Sequence, residues 1–361
     1  MAGDCVKYPA ISRMMTQGVT ESVFPGAVLL CARGGDILFH EAYGMANLTH
    51  QQRMQTDAIF DLASLTKPLA TALSMACLIQ TGRVSPGTRI GDVIPPVSHT
   101  PKAIISIDML LRHTSGLPAH RDFFFSMVKE TKRPRDLLRN LIVAEPLVAE
   151  PGDRQVYSDL GYMLLSWVIE ILSGQRLDRF VLDHLYAPLD IRNLFFIDLD
   201  KAPMGKERLV STQDCPWRRK TLTGEVEDEN AWAAGGIEGH AGLFGDAASV
   251  HRLCCEILNA LCRRPTRLLD PDIMVCLVQK EQGRDMVAGF DTPSKINSSA
   301  GHFFSPASVG HLGFTGTSFW LDPKSGLIVI LLTNRVHPSR SNQKIKAFRP
   351  ELHDLVCKIL G

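Results

Sequence analysis

The stretch "DLASLTKPLATALSMACLIQTG", residues 61–82, places two polar side chains at the start of a long apolar segment. Ser64 and Lys67 are three residues apart, and side chains at i and i+3 lie on one face of a helix. Residues 69–79 are mostly apolar, which predicts a helix that runs through the core. A serine at the start of such a helix lies beside unpaired N–H groups and the positive end of the helix dipole, which favour negative charge on its oxygen.

The same Ser-x-x-Lys spacing occurs twice more, at Ser126/Lys129 and at Ser341/Lys344. Lysine is a good helix former that usually points into solvent, so the spacing by itself has little meaning. Ser126/Lys129 lies between "FFF" and a basic stretch, and Ser341/Lys344 follows Pro338 in a polar stretch. Neither copy is followed by an apolar helical run. The setting therefore favours the first copy as the reactive pair.

Length and charge limit the classes of function. With 361 residues the chain exceeds the usual size of a single core, which predicts one large composite domain or two closely packed ones. A hydrophobic fraction of 45% and a charged fraction of 21% are ordinary for a globular protein. The net charge of +1, without a long basic run, argues against binding to nucleic acid or to a membrane surface. Small substrates fit this composition better.

The cysteines and the N-terminal segment indicate the compartment. The first residues lack a basic segment followed by an apolar one, and no segment offers about 18 consecutive apolar residues, so we expect no membrane span. Nine cysteines leave at least one unpaired, and most lie in apolar runs, which is typical of buried free thiols in a reducing compartment. These features predict a cytoplasmic protein. Zinc-site spacings and H-E-x-x-H are absent, so we expect no metal.

Strand signals occur at both ends of the chain. The runs "GAVLLCAR" and "DILFHEAYG" are joined by Gly34-Gly35, which predicts a hairpin. Near the C-terminus "HLGFTGTSFWLD" and "GLIVILLTN" are joined by "PKSG", which predicts a second hairpin, and residues 345–360 look like a closing helix. The sequence between the two ends has mainly helical patterns. We therefore expect the two ends to share one antiparallel sheet, with a helical insertion between them.

Tyr157 directly precedes a predicted helix that Ser158 or Asp159 can cap. Its position alone favours a packed structural tyrosine. On the alternative interpretation its hydroxyl relays protons, and a neighbouring ammonium lowers its pKa from the usual value of about 10. Lys67 is able to supply that ammonium.

Two glycine-rich segments are candidates for a cleft wall. Residues 309–316, "VGHLGFTG", have glycines within a strand-like run, which often marks the close approach of a ligand or of another backbone. His311 then either faces that ligand or is structural. The segment "AWAAGGIEGHAGLFGDAAS" is able to line the same cleft, and its His240 is interpreted as structural. The G-x-S-x-G and P-loop motifs are absent, which disfavours an α/β-hydrolase triad and a nucleotide site.

Together these motifs resemble those of the penicillin-binding-protein and class C β-lactamase superfamily of serine hydrolases, in its esterase-like branch. The motifs are Ser64-x-x-Lys67, Tyr157-Ser158-Asp159 and His311-Leu312-Gly313, and "LLRHTSGLP", "PGDRQVYSDLGYMLL" and "GHAGLFGD" extend the likeness over nearly the whole chain. The resemblance implies an α/β (α+β) fold of the β-lactamase/transpeptidase type. An antiparallel sheet flanked by helices would comprise residues 1–66 and 235–361, and a mainly helical subdomain residues 67–234, with the active site at their junction.

The resemblance also implies roles for single residues. Ser64 resembles the acylated nucleophile, Lys67 the group that keeps its proton mobile, and Tyr157 the catalytic tyrosine that activates the serine and the deacylating water. The backbone N–H groups of Ser64 and Phe314 would form the oxyanion hole. The expected substrate-binding residues are Asp159, His311 and Gly313. Neither a cofactor nor a metal is implied.

Two departures from the family pattern bear on the substrate. Asp159 stands where β-lactamases have asparagine, and His311-Leu312-Gly313 replaces Lys-Thr-Gly. The second change removes donors that hold a substrate carboxylate, and similar departures occur in the family's esterases. We therefore expect uncharged acyl esters to be better substrates than β-lactams.

Three hypotheses of function follow from the sequence. The first is a hydrolase that cleaves a small ester or amide through an acyl-serine intermediate. The second is a D-amino-acid peptidase or weak β-lactamase acting on peptides derived from the cell wall, which a further likeness of "GEVEDENAWAAGG" to wall-salvage hydrolases supports. The third is a catalytically silent ligand-binding homologue, but a silent pocket has no physical need for Ser64, Lys67 and Tyr157 together. The oligomeric state stays open.

Overall fold

A computed structural model describes residues 7–129, 135–201, 205 and 207–361, so Cys5 lies outside the described residues. The α-helices of this part of the chain are α1 (Pro9–Thr20), α2 (Leu73–Gln80), α3 (Ile107–Leu111), α4 (Phe124–Met127), α5 (Arg135–Ala144), α6 (Asp159–Ser173), α7 (Leu177–Val181), α8 (Glu229–Ala233), α9 (Ala247–Leu261), α10 (Pro271–Leu277) and α11 (Ile345–Leu360). The strands are β1 (Gly26–Arg33), β2 (Asp36–Asn47), β3 (Gln52–Arg53), β4 (Phe60–Asp61), β5 (Leu194–Phe196), β6 (Ser211–Cys215), β7 (Lys220–Thr223), β8 (Leu243–Gly245), β9 (Val309–Leu312), β10 (Ser318–Asp322) and β11 (Leu327–Thr333).

Both ends of the chain form the main sheet. Among the described residues it has six strands in the order β3-β2-β1-β11-β10-β9. Every neighbouring pair is antiparallel, and β1 joins β11 in the centre, with Cys31 opposite Val329. The two predicted hairpins therefore pair with each other, and the predicted antiparallel sheet is confirmed.

Both faces of this sheet are covered, which explains why its central strands are almost continuously apolar. Along β1, Val28 and Leu30 belong to one hydrophobic cluster and Ala27 and Leu29 to another. The second cluster includes residues of α1 and α11, while the first includes residues of α2, α6 and α9. Full burial of a leucine side chain such as Leu30 stabilises the fold by roughly 1.5–3 kcal/mol.

The largest hydrophobic cluster extends from the sheet into the helical part of the chain. It contains Val28 and Phe319 of the sheet together with Leu110 of α3 and Leu160 of α6. Because one core crosses the expected boundary, the division into residues 1–66 with 235–361 and residues 67–234 stays a prediction. In the part of the chain that is described, no helix is both long and apolar enough to cross a membrane.

The segment that opened the sequence analysis forms a helix with an irregular start. Ala63–Leu65 is a turn of 3₁₀-helix, Lys67–Ala72 is π-helical, and α2 follows directly. Pro68 lacks an N–H group, so the first turns are unable to form every α-helical hydrogen bond. π-Helical turns of this kind are frequent at functional sites. Ala63 adopts a φ of +48°, which is uncommon for a residue with a side chain.

Candidate active site

Ser64 and Lys67 lie in hydrogen-bonding contact at the start of this helix. The Lys67 ammonium donates to Ser64 Oγ at 3.2 Å and to the His240 carbonyl at 3.1 Å. It also forms an ion pair with Asp159, with 2.8 Å between Nζ and Oδ1. Lys67 is completely buried, and burial lowers its pKa, but Asp159 and Tyr157 together more than offset this effect and the pKa is raised overall. Lys67 is therefore an ammonium group in the resting protein.

Asp159 is the first residue of α6, where Ser158 caps the helix by accepting the Gly161 N–H group. Its second oxygen, Oδ2, lies 3.1 Å from His120 Nδ1. Burial raises the pKa of Asp159, but Lys67, His120 and His240 together lower it by more, so the carboxyl stays ionised. The hydrogen bond to Asp159 raises the pKa of His120 to about 9. No motif in the sequence marks His120, and its contact with Asp159 emerges only in the folded protein.

Tyr157 lies between Lys67 and His311. The Lys67 Nζ atom is 4.8 Å from the centre of the Tyr157 ring, and the ring centres of Tyr157 and His311 are 6.0 Å apart. The segment is held by Ser158, whose N–H donates to His113 Nδ1 at 3.0 Å and whose Oγ donates to the Pro118 carbonyl at 2.7 Å. The structure thus brings the predicted serine, lysine and tyrosine together.

Lys67 lowers the Tyr157 pKa as expected, but this effect does not set the overall direction. The residue is 36% exposed, but its hydroxyl is close enough to Ser64 and Lys67 for both groups to lower its pKa. Burial raises the pKa more strongly, and the Asp159 carboxylate adds to that rise, so the overall direction is upward. The main reason is that burial disfavours the charged phenolate more strongly than the Lys67 ammonium favours it.

The opposite wall of the site is formed by the turn that follows β9. A side chain at Gly313 would place its Cβ 2.0 Å from Thr317 Oγ1 and 2.7 Å from the Leu62 carbonyl oxygen, so a glycine is required there by the close approach of another segment. Thr317 donates to the Leu62 carbonyl at 3.1 Å, and Thr315 donates to the Asp61 carbonyl at 2.8 Å. These hydrogen bonds tie the turn that carries Phe314 to the residues just before Ser64.

His311 is an edge-strand residue with a neutral side chain. It is 3% exposed, and its Nδ1 donates to the Leu312 carbonyl at 2.9 Å. Burial, assisted by the charge of Lys67, lowers the pKa of His311 to about 3. Its Nε2 is therefore an unprotonated acceptor, and no partner for it lies in the described part of the protein. An unprotonated histidine gives little hold on a carboxylate.

Two cavities of opposite charge meet at the candidate nucleophile. The larger has a volume of about 650 Å³ and the smaller about 290 Å³. Both are lined by Ser64, Tyr157 and Phe314. The larger cavity also has the basic side chains of Arg335, Lys346 and Arg349. The smaller cavity also has the acidic side chains of Asp159, Glu227, Asp228 and Glu229.

The sequence did not mark the arginines or the contacts of His240. Arg335 follows β11 and Arg349 lies within α11, where a charged residue in an amphipathic helix gives no signal of a site. His240 was interpreted as structural, but it lines the smaller cavity, and its Nε2 lies 2.9 Å from Asp228 Oδ1. Its backbone carbonyl is also the acceptor for Lys67.

Comparisons with known proteins agree with this geometry. The family model described as Beta-lactamase matches residues 11–353. The chain belongs to the Beta-lactamase family. Its members include serine hydrolases, as the motif resemblance implied. A relative from Salmonella typhimurium, named "Putative D-alanyl-D-alanine carboxypeptidase", is 30% identical over 359 residues, which cover 91% of this chain and 83% of the relative.

Solved structures confirm the fold of this Beta-lactamase family member. EstCE1, described as a hydrolase with promiscuous acyltransferase activity, aligns with a TM-score of 0.73 at 21% identity, over 95% of this chain and 98% of the other. A penicillin-binding protein homologue from Pyrococcus abyssi aligns with a TM-score of 0.75 at 17% identity, over 97% and 77%. The predicted β-lactamase/transpeptidase-like fold is therefore correct.

Proposed function

We propose that this member of the Beta-lactamase family cleaves a small ester or amide through an acyl intermediate on Ser64. The observation that carries the proposal is the contact between Ser64 Oγ and the buried Lys67 ammonium at 3.2 Å, with Tyr157 beside both. A serine hydroxyl is a weak nucleophile until a neighbouring group takes its proton. A buried, ion-paired ammonium beside a serine and a tyrosine stabilises the anion that takes this proton, whereas a structural helix start does not require it.

The geometry supports an assignment of the proton acceptor. A neutral phenol is unable to accept a proton, so the reactive form is the fraction of the protein in which Tyr157 has lost its proton to solvent. Because Asp159 keeps Lys67 protonated, the proton of Ser64 then passes to the Tyr157 phenolate as Oγ attacks the carbonyl carbon. The Lys67 ammonium stabilises the phenolate that accepts it. The tetrahedral intermediate then collapses, the bond to the leaving group breaks, and Tyr157 returns the proton to the departing oxygen or nitrogen. Water repeats the sequence on the acyl-enzyme and releases the acid.

We assign the oxyanion hole to the backbone N–H groups of Ser64 and Phe314. Both residues line the space where the two cavities meet, and the Thr315 and Thr317 hydrogen bonds hold their segments at a constant separation. The carbonyl of Phe314 accepts a hydrogen bond from Arg335 Nε at 2.9 Å, which further restrains the turn. Loss of one oxyanion donor typically costs about 10²–10³ in rate.

A second candidate function is removal of a C-terminal residue from a peptide with a free carboxylate. Arg335 and Arg349 line the larger cavity and are each 5% exposed. Within the described residues neither has a carboxylate within salt-bridge distance, and Arg349 Nε has no hydrogen-bond partner. Two buried cations without an acidic partner favour a ligand that brings one, since a carboxylate forms strong bidentate hydrogen bonds with arginine. The name of the Salmonella relative is consistent with this alternative.

Labelling with a fluorophosphonate followed by peptide mass spectrometry tests the common mechanism. We expect the label on Ser64, and its absence from Ser64 would favour a silent binding protein. A side-by-side panel then separates the two candidates: neutral chromogenic esters, a D-amino-acid amide, a cephalosporin, and a D-alanyl-D-alanine peptide in free-acid and amidated forms. Fastest turnover of a neutral ester supports the first candidate. Preference for the free acid over its amide supports the second.

We also propose a cytoplasmic location. The eight cysteines of the described residues are all free, which is typical of a reducing compartment. Cell fractionation followed by detection of Ser64 labelling in each fraction tests this proposal.

A further inference from the structure

One buried carboxylate connects three segments around the candidate nucleophile. Asp61, the last residue of β4, is 2% exposed. Its Oδ1 accepts the Ala63 N–H at 2.8 Å, and its Oδ2 accepts the Glu227 N–H at 2.6 Å. Its backbone carbonyl accepts the Thr315 hydroxyl at 2.8 Å. Asp61 thus joins the turn before Ser64, one wall of the smaller cavity and the turn that carries Phe314.

The hydrogen bond between Asp61 and the Ala63 N–H is important because the Ala63 backbone has an uncommon conformation. Ala63 directly precedes Ser64 and has a φ of +48°. A residue with a side chain adopts this conformation at an energetic cost, and it persists only where the surrounding structure holds it. The Asp61 carboxylate is the side chain that bonds the N–H group of this strained residue. The orientation of the Ser64 side chain therefore depends on the hydrogen bond between Asp61 and Ala63.

Protonation would change the hydrogen bonds that Asp61 is able to make. A carboxylate has acceptor sites on both oxygens, which match the two N–H donors that face it. In the neutral acid one oxygen becomes a hydroxyl with reduced acceptor capacity and no charge, so its hydrogen bond to the facing N–H group is weakened. We propose that Asp61 is a positioning residue whose ionised form holds Ser64 in its reactive orientation, and that its protonation releases the turn. This inference rests on the proposed acyl-serine function.

The groups around Asp61 place the protonation of its carboxylate close to neutral pH. The charged groups that face Asp61 are the carboxylates of Glu227 and Asp228, on the segment before α8. Strand β8 places the backbone of Phe244 next to it, and the β9–β10 turn places the Thr315 hydroxyl against its carbonyl. Burial raises the pKa of Asp61 to about 7, the two N–H donors act in the opposite direction, and the neighbouring carboxylates add to the rise. Asp61 therefore loses its charge as the pH falls through about 7.

The rate of fluorophosphonate labelling of Ser64 as a function of pH tests the proposal on the intact protein. We expect the logarithm of the wild-type rate to bend downward below about pH 7, in addition to any slope that Tyr157 causes at higher pH. Asp61→Asn places an amide NH₂ against one N–H donor. At about pH 8 it should label more slowly by up to about 10²-fold, and its profile should lack the bend. A bend that persists in Asp61→Asn overturns the proposal.

Two further variants serve as controls. Asp291 also lines the larger cavity, and burial raises its pKa to about 7, so Asp291→Asn tests the other carboxyl that titrates in this range. The bend should persist in that variant, and its loss there would overturn the proposal. Glu227→Gln removes a carboxylate that raises the Asp61 pKa, so it should move the bend to lower pH. Loss of the bend in Glu227→Gln would assign it to Glu227 and overturn the proposal.

These outcomes remain decisive if Asp61→Asn fails to fold, as judged by circular dichroism. The wild-type profile and the Glu227→Gln shift do not depend on that variant, and a wild-type profile without a bend overturns the proposal. The proposed function fails in a different way, because Ser64 would then remain unlabelled at every pH. Labelling of Ser64 without the bend contradicts only the role of Asp61.

Discussion

Two copies of the Ser-x-x-Lys spacing differ in every property except the spacing. Lys67 is completely buried, contacts Ser64 at 3.2 Å and pairs with Asp159 at 2.8 Å. Ser126 and Lys129, at the end of α4, are both exposed. An exposed lysine is solvated and has no fixed charge partner, so it does not influence a nearby hydroxyl. The spacing brings two side chains near each other, and burial with a fixed counter-ion distinguishes the pair that we propose to be reactive.

The largest expected difference between the copies is in labelling and turnover. Ser64→Ala should abolish fluorophosphonate labelling and lower turnover by on the order of 10⁶-fold, as loss of a serine nucleophile does in other hydrolases. Ser126→Ala and Ser341→Ala should leave both unchanged. Near-normal turnover of the best substrate by Ser64→Ala would contradict the acyl-serine mechanism.

Substitution of the two lysines should have different effects on the stability of the protein as well as on its activity. Lys67→Met leaves Asp159, in a mostly buried site, with only the partly exposed His120 as a charge partner, which should lower the free energy of unfolding by up to about 3–5 kcal/mol. Its labelling rate should fall by about 10²–10⁴-fold. Lys129→Met should change the free energy of unfolding by less than about 0.5 kcal/mol. Urea unfolding at neutral pH measures both variants, and equal values would show that the ion pair has no special role.

Asp159→Asn tests how the counter-ion of the buried copy sets the pKa values of Lys67 and Tyr157. The Asp159 carboxylate raises the pKa values of Lys67 and Tyr157, so its removal lowers both. The rise of the labelling rate with pH should then move to lower pH by about 1–3 units. Asp122→Asn is the matched control, because Asp122 also lies near His120, at 3.3 Å, but is 63% exposed. A profile that is unchanged in Asp159→Asn would exclude Asp159 from control of the proton acceptor.

The smallest expected effect comes from substitutions in the larger cavity, where a buried and an exposed basic residue are again compared. Arg349 is 5% exposed, whereas Lys346 on the same helix is exposed. If the carboxypeptidase alternative is correct, Arg349→Gln should lower the ratio of catalytic efficiencies for the free-acid and amidated peptide by about tenfold, in line with roughly 1.5 kcal/mol for a charge-assisted hydrogen bond. Lys346→Gln should leave this ratio nearly unchanged. Equal ratios in both variants would remove the arginine from carboxylate recognition.

Sequence patterns predicted the fold well because they are local. The two hairpins and the closing helix each arise from apolar runs and turn residues within a short segment, and the structure has them over nearly the predicted residues. The family resemblance pointed to Ser64, Lys67 and Tyr157, which the structure brings together. It gave no signal for Asp61, His120 or Arg349. Each of these residues has contacts with segments that are distant in sequence, such as Asp61 with Glu227, and no local pattern indicates those contacts.

By itself, the sequence determined the antiparallel sheet built from both chain ends and the membership of the Beta-lactamase family, because these follow from side-chain periodicity and from short motifs. Only the tertiary structure decided the charge states around Ser64. The Tyr157 pKa rises overall because burial outweighs the effect of the Lys67 ammonium, and the Asp159 carboxylate adds to the rise. Electrostatic energies depend on the distances between charges and on their burial, and chain folding sets both. For the same reason the pairing of Asp61 with Ala63 and Glu227 became visible only in the folded protein.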